Sequence, residues 1–356
     1  MNEAPQALSV MEGIDARLPT IDDVKLLATF SRAYVANGQS AAAQTMLQRG
    51  SSLAGFDTRS LLTIADLQQD AGDLKGAAWS LQRAVEGDPS FLPARIKLGE
   101  FAVAQGDLPK ASEVAEGLQR DFPDKPYGHH LLGTLRQKEG DDHGALEHLR
   151  AALALDDAPG LAVRVFAAER RVNGDAAGIE FLRGWLDRHP GDPLASLALA
   201  EGYSGVRDWK KAQALYEDAI AKAPDNPMLL NNLALAYLGQ GDPRALELAR
   251  RAQAAMLGST EIGDTLGWVM VRSGNAAEGL KYLRDAESRT GSTPGLLYHI
   301  AYALSELGRP GEALAELERA TASSQPFTDR EDALVLRARL EQAAGKKPKG
   351  KEAKPR

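Results

Sequence analysis

Histidine is the side chain best suited to metal binding or proton transfer near neutral pH, and this sequence has six: His129, His130, His143, His148, His189 and His299. Their spacing does not assemble a centre. His143 and His148 are five residues apart, whereas a pair sharing one helical face stands three or four apart. His129 and His130 have no accompanying carboxylate cluster in sequence, which weighs against a metal site there. There is no His-Glu-x-x-His, no phosphate-binding glycine loop and no Gly-x-Ser-x-Gly elbow. The carboxylates are many but evenly spread, as solvated helix faces have them. With no cysteine, thiolate catalysis and disulfides are excluded. No catalytic residue, cofactor or metal ligand is expected. What can make contacts is aromatic: Trp268, Tyr298 and Tyr302 can stack on a peptide side chain or a sugar ring, or pack between neighbouring helices. Trp79, Trp185 and Trp209 read as packing.

The elements that must position these residues repeat. Glycines stand at Gly38, Gly72, Gly106, Gly140 and Gly174, each 34 residues after the last, and the same slot continues at Arg207, Gly241, Gly274 and Gly308. Seven positions before each lies a small residue, such as Ala65, Gly133, Ala200 or Ala301. It usually follows a large apolar one, such as Ile64, Leu132, Leu199 or Ile300. Further small residues follow the glycine, as in Ala43, Ala77, Ala111, Ala145, Ala212 and Ala313. Small residues at helical spacing let antiparallel helices cross closely while large ones fill the space between. Glycine supplies the left-handed turn after a helix, and Asp73, Asp107, Asp141, Asp175 and Asp242 then stand where a cap for the next helix is wanted. Asp88-Pro89, Pro126, Asp192-Pro193 and Asn226-Pro227 mark the links between repeats.

This pattern resembles the tetratricopeptide repeat (TPR) family, over about residues 20–342, and best in the sixth repeat (Leu199, Ala200, Tyr203, Ala212, Tyr216, Ala219, Pro224). The fifth is degenerate at Ile179 and Arg183, the sixth has Arg207 in its glycine slot, and the seventh is one residue short in its turn, so kinks are expected there. The resemblance implies an all-α fold, a right-handed superhelix (an αα solenoid) of about nine helix-turn-helix repeats. A capping helix from about Thr328 to Gln342 would follow, its charges facing solvent. The domain reading is a lead segment 1–19, the array with its cap 20–342, and a disordered basic tail 343–356. An extended concave wall, with no closed pocket, is expected to meet the solvent.

In that family the first helix of each repeat lines the concave groove, mainly through its second, fifth, ninth and twelfth positions. Carried to this chain, those positions are Arg32, Asp66, Glu100, His130, Thr134, Arg164, Arg171, Glu201, Asn231, Asp264, Trp268, Tyr298 and Tyr302. TPR proteins that grip a C-terminal carboxylate use Lys-x-x-x-Asn and Lys-x-x-x-Arg on successive first helices. Here Lys222 and Asn226 alone have the first spacing, and they fall at a link between repeats.

The net charge is −7. Gly345 to Arg356 hold six Lys/Arg and one Glu, so the rest of the chain carries −12. An acidic body argues against nucleic acid as a partner, and the basic tail offers a weak contact to membrane or an acidic partner. Met1 to Thr20 has no basic-then-apolar leader, and no stretch reaches the ~18 apolar residues of a membrane span.

The strings Leu229-Leu230-Asn231-Asn232-Leu233-Ala234, Gly241-Asp242-Pro243-Arg244-Ala245, Asp264-Thr265-Leu266-Gly267-Trp268-Val269 and Leu297-Tyr298-His299-Ile300-Ala301 resemble the end of the exosortase-associated bacterial TPR proteins (the PrsT family). That resemblance implies exopolysaccharide export or PEP-CTERM protein sorting, in a protein longer than this chain and exported. As written the chain is cytoplasmic; as the C-terminal part of an exported protein it is periplasmic or envelope-associated. The expected function is a noncatalytic scaffold binding protein or peptide segments in the groove. The alternatives are a substrate-presenting TPR region of a glycosyltransferase-type enzyme and a cytoplasmic assembly or regulatory adaptor.

Overall fold

A computed structural model describes residues 23–345 of the chain. The lead segment 1–19 and the tail beyond residue 345 lie outside the described residues. Among the described residues there are nineteen α-helices and no strand. In chain order they are α1 Val24–Ala36, α2 Ser40–Ala54, α3 Thr58–Asp70, α4 Leu74–Gly87, α5 Leu92–Gln105, α6 Leu108–Asp121, α7 Tyr127–Glu139, α8 Asp142–Leu155 and α9 Pro159–Asn173. Then follow α10 Asp175–Arg188, α11 Pro193–Gly205, α12 Trp209–Lys222, α13 Pro227–Gly239, α14 Arg244–Ala255, α15 Thr260–Arg272, α16 Ala276–Thr290, α17 Pro294–Glu306, α18 Pro310–Ala322 and α19 Arg330–Gly345. The chain divides into two compact units, the first ending at Val172 and the second starting at Asn173. The division falls within the degenerate fifth repeat.

In the first unit each helix packs on the next from α1 to α8, and first helices also meet, α1 with α3 and α5 with α7. The small residues do what their spacing implies: Ala43, Ala65, Ala77, Ala111, Ala115 and Ala145 are fully buried. Leu81, Leu98, Phe101, Leu118 and Leu132 fill the space between them. Burying each large apolar side chain contributes roughly 1.5–3 kcal/mol. Gly72, with φ +77°, turns the chain left-handed, and the Asp73 carboxylate then accepts the Gly76 amide at 2.9 Å. Asp107 and Asp141 cap α6 and α8 in the same way. Such a cap is worth about 1 kcal/mol. Trp79, expected in packing, is instead 44% exposed on α4, beside the Arg83 guanidinium.

The second unit repeats the scheme from α10 to α19. Asp175 departs from expectation: it is the first residue of α10, and Gly174 occupies the cap. Trp185 is fully buried, donates its indole N–H to Asp192 at 2.8 Å and stacks on His189. Asp192 and Asn226 cap α11 and α13, with proline at the first helical position of each. One close crossing joins α15 to α16, where a Cβ on Gly279 would lie 2.5 Å from the Gly267 carbonyl oxygen. The last helix starts at Arg330 rather than Thr328 and runs to Gly345. It buries Ala333, Leu336 and Leu340 in the cluster built by α17 and α18. Arg207 keeps the geometry of the glycine it replaces, with φ +59°. A left-handed conformation costs a side-chain-bearing residue roughly 1–2 kcal/mol.

Candidate interaction site

The reason for an arginine at 207 is its reach. Its guanidinium donates to Asp329 at 2.9 Å and to Asp332 at 2.5 Å, in the turn before α19 and in α19 itself, more than 120 residues further on. The charges at the head of the last helix therefore do not all face solvent: Asp329 and Asp332 face inward and tie the cap to the α11–α12 turn. The bond to Asp332, with the charges of both carboxylates, raises the Arg207 pKa. Behind Asp329 the charge chain continues. His299 Nε2 lies 3.8 Å from Asp329, and its Nδ1 donates to Asp264 at 2.7 Å. Burial disfavours the imidazolium, but the two carboxylates outweigh it and lift the His299 pKa to about 9. His299 is a cation at neutral pH. It stacks on Trp268, with ring centroids 4.4 Å apart and planes 14° from parallel.

Around that pair the aromatics close up. Trp268 meets Tyr298 at 5.6 Å and Tyr302 edge-on at 5.2 Å, and Arg272 lies over Trp268 and Tyr302. Burial and the carboxylates of Asp332 and Asp329 push the Tyr298 hydroxyl up, so it stays protonated. Each arrangement is of the kind worth about 0.5–1.5 kcal/mol beyond area burial. Trp268 is 8% and Tyr298 4% exposed, so these two rings are largely packing. Tyr302 is the more accessible member.

These groups line one cleft of about 830 Å³ in the second unit. Its walls come from the inner faces of α11, α13, α15 and α17 and from the start of α19; Trp209 and the buried Tyr216 of α12 complete them. The wall expected to be free of pockets thus carries a defined cleft. All six groove residues expected in this unit, Glu201, Asn231, Asp264, Trp268, Tyr298 and Tyr302, line it. Five carboxylates (Glu201, Glu261, Asp264, Asp329, Asp332) face three cations (Arg207, Arg272, His299), an acidic balance. Asn231 is buried, and its Oδ1 has no hydrogen-bond partner among the described residues.

In the first unit the expected groove residues divide. Glu100, His130, Thr134 and Arg164 line a pocket of about 200 Å³ between α5, α6, α7 and α9. Asp66 lines a shallower groove with Glu100 and binds Lys97 at 2.7 Å. Arg171 is exposed on α9 and reaches Asp142 at 3.4 Å. Arg32 is exposed on α1 and lines none of these cavities. His129 meets His148 with 3.2 Å between Nδ1 atoms, and Gln119 bonds to His129. No cluster of three metal-ligating side chains occurs among the described residues.

Reasoning from repeat positions missed Arg207, Arg272, His299, Asp329 and Asp332. The sign of Arg207 was visible as an arginine in a glycine slot. Asp329 and Asp332 stand outside the repeats, so no repeat position points to them.

Four family models, each described as a tetratricopeptide repeat, match residues 69–135, 195–228, 215–247 and 265–327. No curated protein matches the chain in sequence. Among solved structures, a tetratricopeptide repeat protein from Parabacteroides merdae is similar at 15% identity with a TM-score of 0.52. That match covers 69% of this chain and 98% of that one. The Cut9-Hcn1 hetero-tetramer of the APC/C is similar at 15% identity with a TM-score of 0.56, covering 83% of this chain and 59% of that one. The human IFIT1 dimer with m7Gppp-AAAA is similar at 14% identity with a TM-score of 0.56, covering 91% and 83%. At these identities the likeness speaks for the fold alone. No helix among the described residues is long and apolar enough to cross a membrane. Helix pairs of one period, left-handed turns in one slot and four matches of one kind agree: this chain is a tetratricopeptide repeat protein.

Proposed function

We propose that the chain is a noncatalytic scaffold that holds segments of partner proteins against the inner faces of its first helices. The observation that carries this reading is the cleft of the second unit, where six groove positions from four successive repeats converge. A cleft of that size, walled by aromatics and by charged groups of both signs, has room for the side chains of a bound segment. Its charged groups are engaged with one another (Arg207 with Asp329 and Asp332, His299 with Asp264), which orders the wall. The setting we propose is a bacterial envelope system, exopolysaccharide export or PEP-CTERM sorting. It is supported by the resemblance of the strings between Leu229 and Ala301 to the PrsT family.

The test is site-specific photo-cross-linking in cells making the native protein. A photoreactive residue is placed at Tyr302 in the cleft or at Gln213 on α12, which does not line the cleft. Cross-links to a discrete protein from position 302 and none from 213 are expected. Equal labelling from both positions would remove the cleft from the binding role. Fractionating the same cells checks the setting: recovery of the native protein from the cytosol alone would refute an envelope role.

A further inference from the structure

Arg164 on α9 is held in the wall of the first unit's pocket without a counter-charge. Its Nη1 donates to His130 Nε2, and its Nη2 donates to Thr134 Oγ1 at 2.8 Å and Gln137 Oε1 at 3.2 Å. Arginine has only donors, so His130 Nε2 must be the acceptor, and His130 is the neutral tautomer with its proton on Nδ1. All three partners are uncharged. Among the described residues no carboxylate forms an ion pair with Arg164, although the guanidinium is partly buried. Burial and the charge of another cation, Arg171, both lower its pKa. A guanidinium has five N–H groups, and three are used here. Beside it, Ile96, Val103, Leu118, Tyr127 and Leu131 form the apolar part of the same pocket. Burying an arginine among neutral partners forfeits solvation that a carboxylate would restore with a charge-assisted hydrogen bond.

We propose that this pocket docks an acidic peptide segment, an Asp or Glu side chain on Arg164 with a neighbouring apolar side chain of Val or Leu size in the 200 Å³ cavity. His130 and Thr134 hold the guanidinium in place for the anion. Glu100, which lines the same pocket from α5, disfavours a second acidic residue, so the pocket selects one carboxylate beside one apolar side chain and not an acidic run. The inference rests on the scaffold reading but concerns a separate site, in the first unit, with opposite charge preference to the acidic cleft of the second.

The test is selection from a random short-peptide library displayed on phage, using the full chain, followed by fluorescence anisotropy of the selected peptides. Peptides that pair one acidic with one apolar residue are expected. Changing their acidic residue to the amide should weaken binding about tenfold or more, the usual worth of a hydrogen bond to a charged group. The same loss should appear with Arg164→Gln, and Glu100→Gln, which touches no hydrogen bond of the pocket, should tighten binding. Circular dichroism on Arg164→Gln separates lost binding from lost folding, and Glu100→Gln tests the pocket independently of it. No enrichment from the library would sink the scaffold reading itself. Enriched peptides that lack the acidic–apolar pair, or that bind Glu100→Gln no better than wild type, would overturn the pocket assignment and leave that reading standing.

Discussion

Raising the pH through 9 should weaken the second unit, because His299 is held there as a cation. Its imidazole lies between Asp264 at 2.7 Å and Asp329 at 3.8 Å, against the face of Trp268, with its side chain 13% exposed. Burial opposes the charge, and the carboxylates outweigh burial, which places the pKa at about 9 against an ordinary 6.5. At pH 6 the folded and unfolded chains both carry the proton, so its full stabilisation is present. Between 6.5 and 9 the unfolded chain loses the proton and the folded chain keeps it, so the contribution declines. Above 9 both are neutral and the contribution is gone. The difference in pKa corresponds to roughly 3 kcal/mol. A His299→Gln variant keeps a polar side chain but cannot carry the charge. In urea unfolding followed at pH 6 and at pH 10, the stability gap between wild type and this variant should shrink by roughly that amount, while general alkaline effects cancel in the difference. Direct titration of the His299 ring by NMR gives the same quantity locally, and Asp264→Asn should lower it. A ring titrating at or below 6.5 in the folded protein would refute the charge chain.

Replacing Arg207 by Gly should leave stability within about 1 kcal/mol of wild type. The loss of two half-exposed ion pairs, each worth about 0.2–1 kcal/mol, is offset by relief of the left-handed strain. Arg207→Ala loses the pairs and keeps the strain, so amides of α19 should exchange faster in Ala than in Gly; identical protection would remove the strain from the account. In the first unit the sign of the pH effect is opposite. Burial, with the Arg164 charge, depresses the His130 pKa to about 4, so stability should fall as pH drops from 6.5 toward 4, and retained protection of α7 across that range would contradict it. Gly279→Ala should cost about 1–3 kcal/mol, because its Cβ meets the Gly267 carbonyl and Val271. Gly311→Ala, exposed with nothing within 4 Å, should cost nothing measurable by the same thermal melts.

The helices of the repeats were legible because one rule generates them. A small residue at a fixed distance from a turn glycine implies two helices crossing closely, and Ala77, Ala111, Ala212 and Ala313 are each fully buried. The groove positions, carried over from the family resemblance, fall along one cleft at Glu201, Asn231, Asp264, Trp268, Tyr298 and Tyr302, whereas Arg32 and Arg171 line no cavity described above. The cleft itself was not legible. It depends on which inward side chains bond to one another, and those pairs join different helices: His299 to Asp264 across 35 residues and Arg207 to Asp332 across 125. Periodicity specifies backbone neighbours and is silent on such pairing. Trp79 shows the reverse limit: an aromatic at a helical position suggested burial, yet its side chain lies outward beside Arg83.

The cap does two kinds of work. Through Ala333, Leu336 and Leu340 it covers the apolar face that α17 and α18 leave open, which any last element of a stacked array must do. Through Asp329 and Asp332 it also reaches Arg207, three repeats back, and that contact serves no covering role. A glycine at 207 would have met the needs of the turn. The arginine tolerates a left-handed backbone because its side chain spans the cleft. A partner side chain that displaced either carboxylate would free a cation in the cleft and loosen the cap together. A partner that left both in place would find a wall already ordered. For a partner that displaces either carboxylate, occupancy of the cleft and order at the head of α19 are therefore two readouts of one equilibrium, and its binding lowers the protection of α19 by the same free energy with which α19 opposes it.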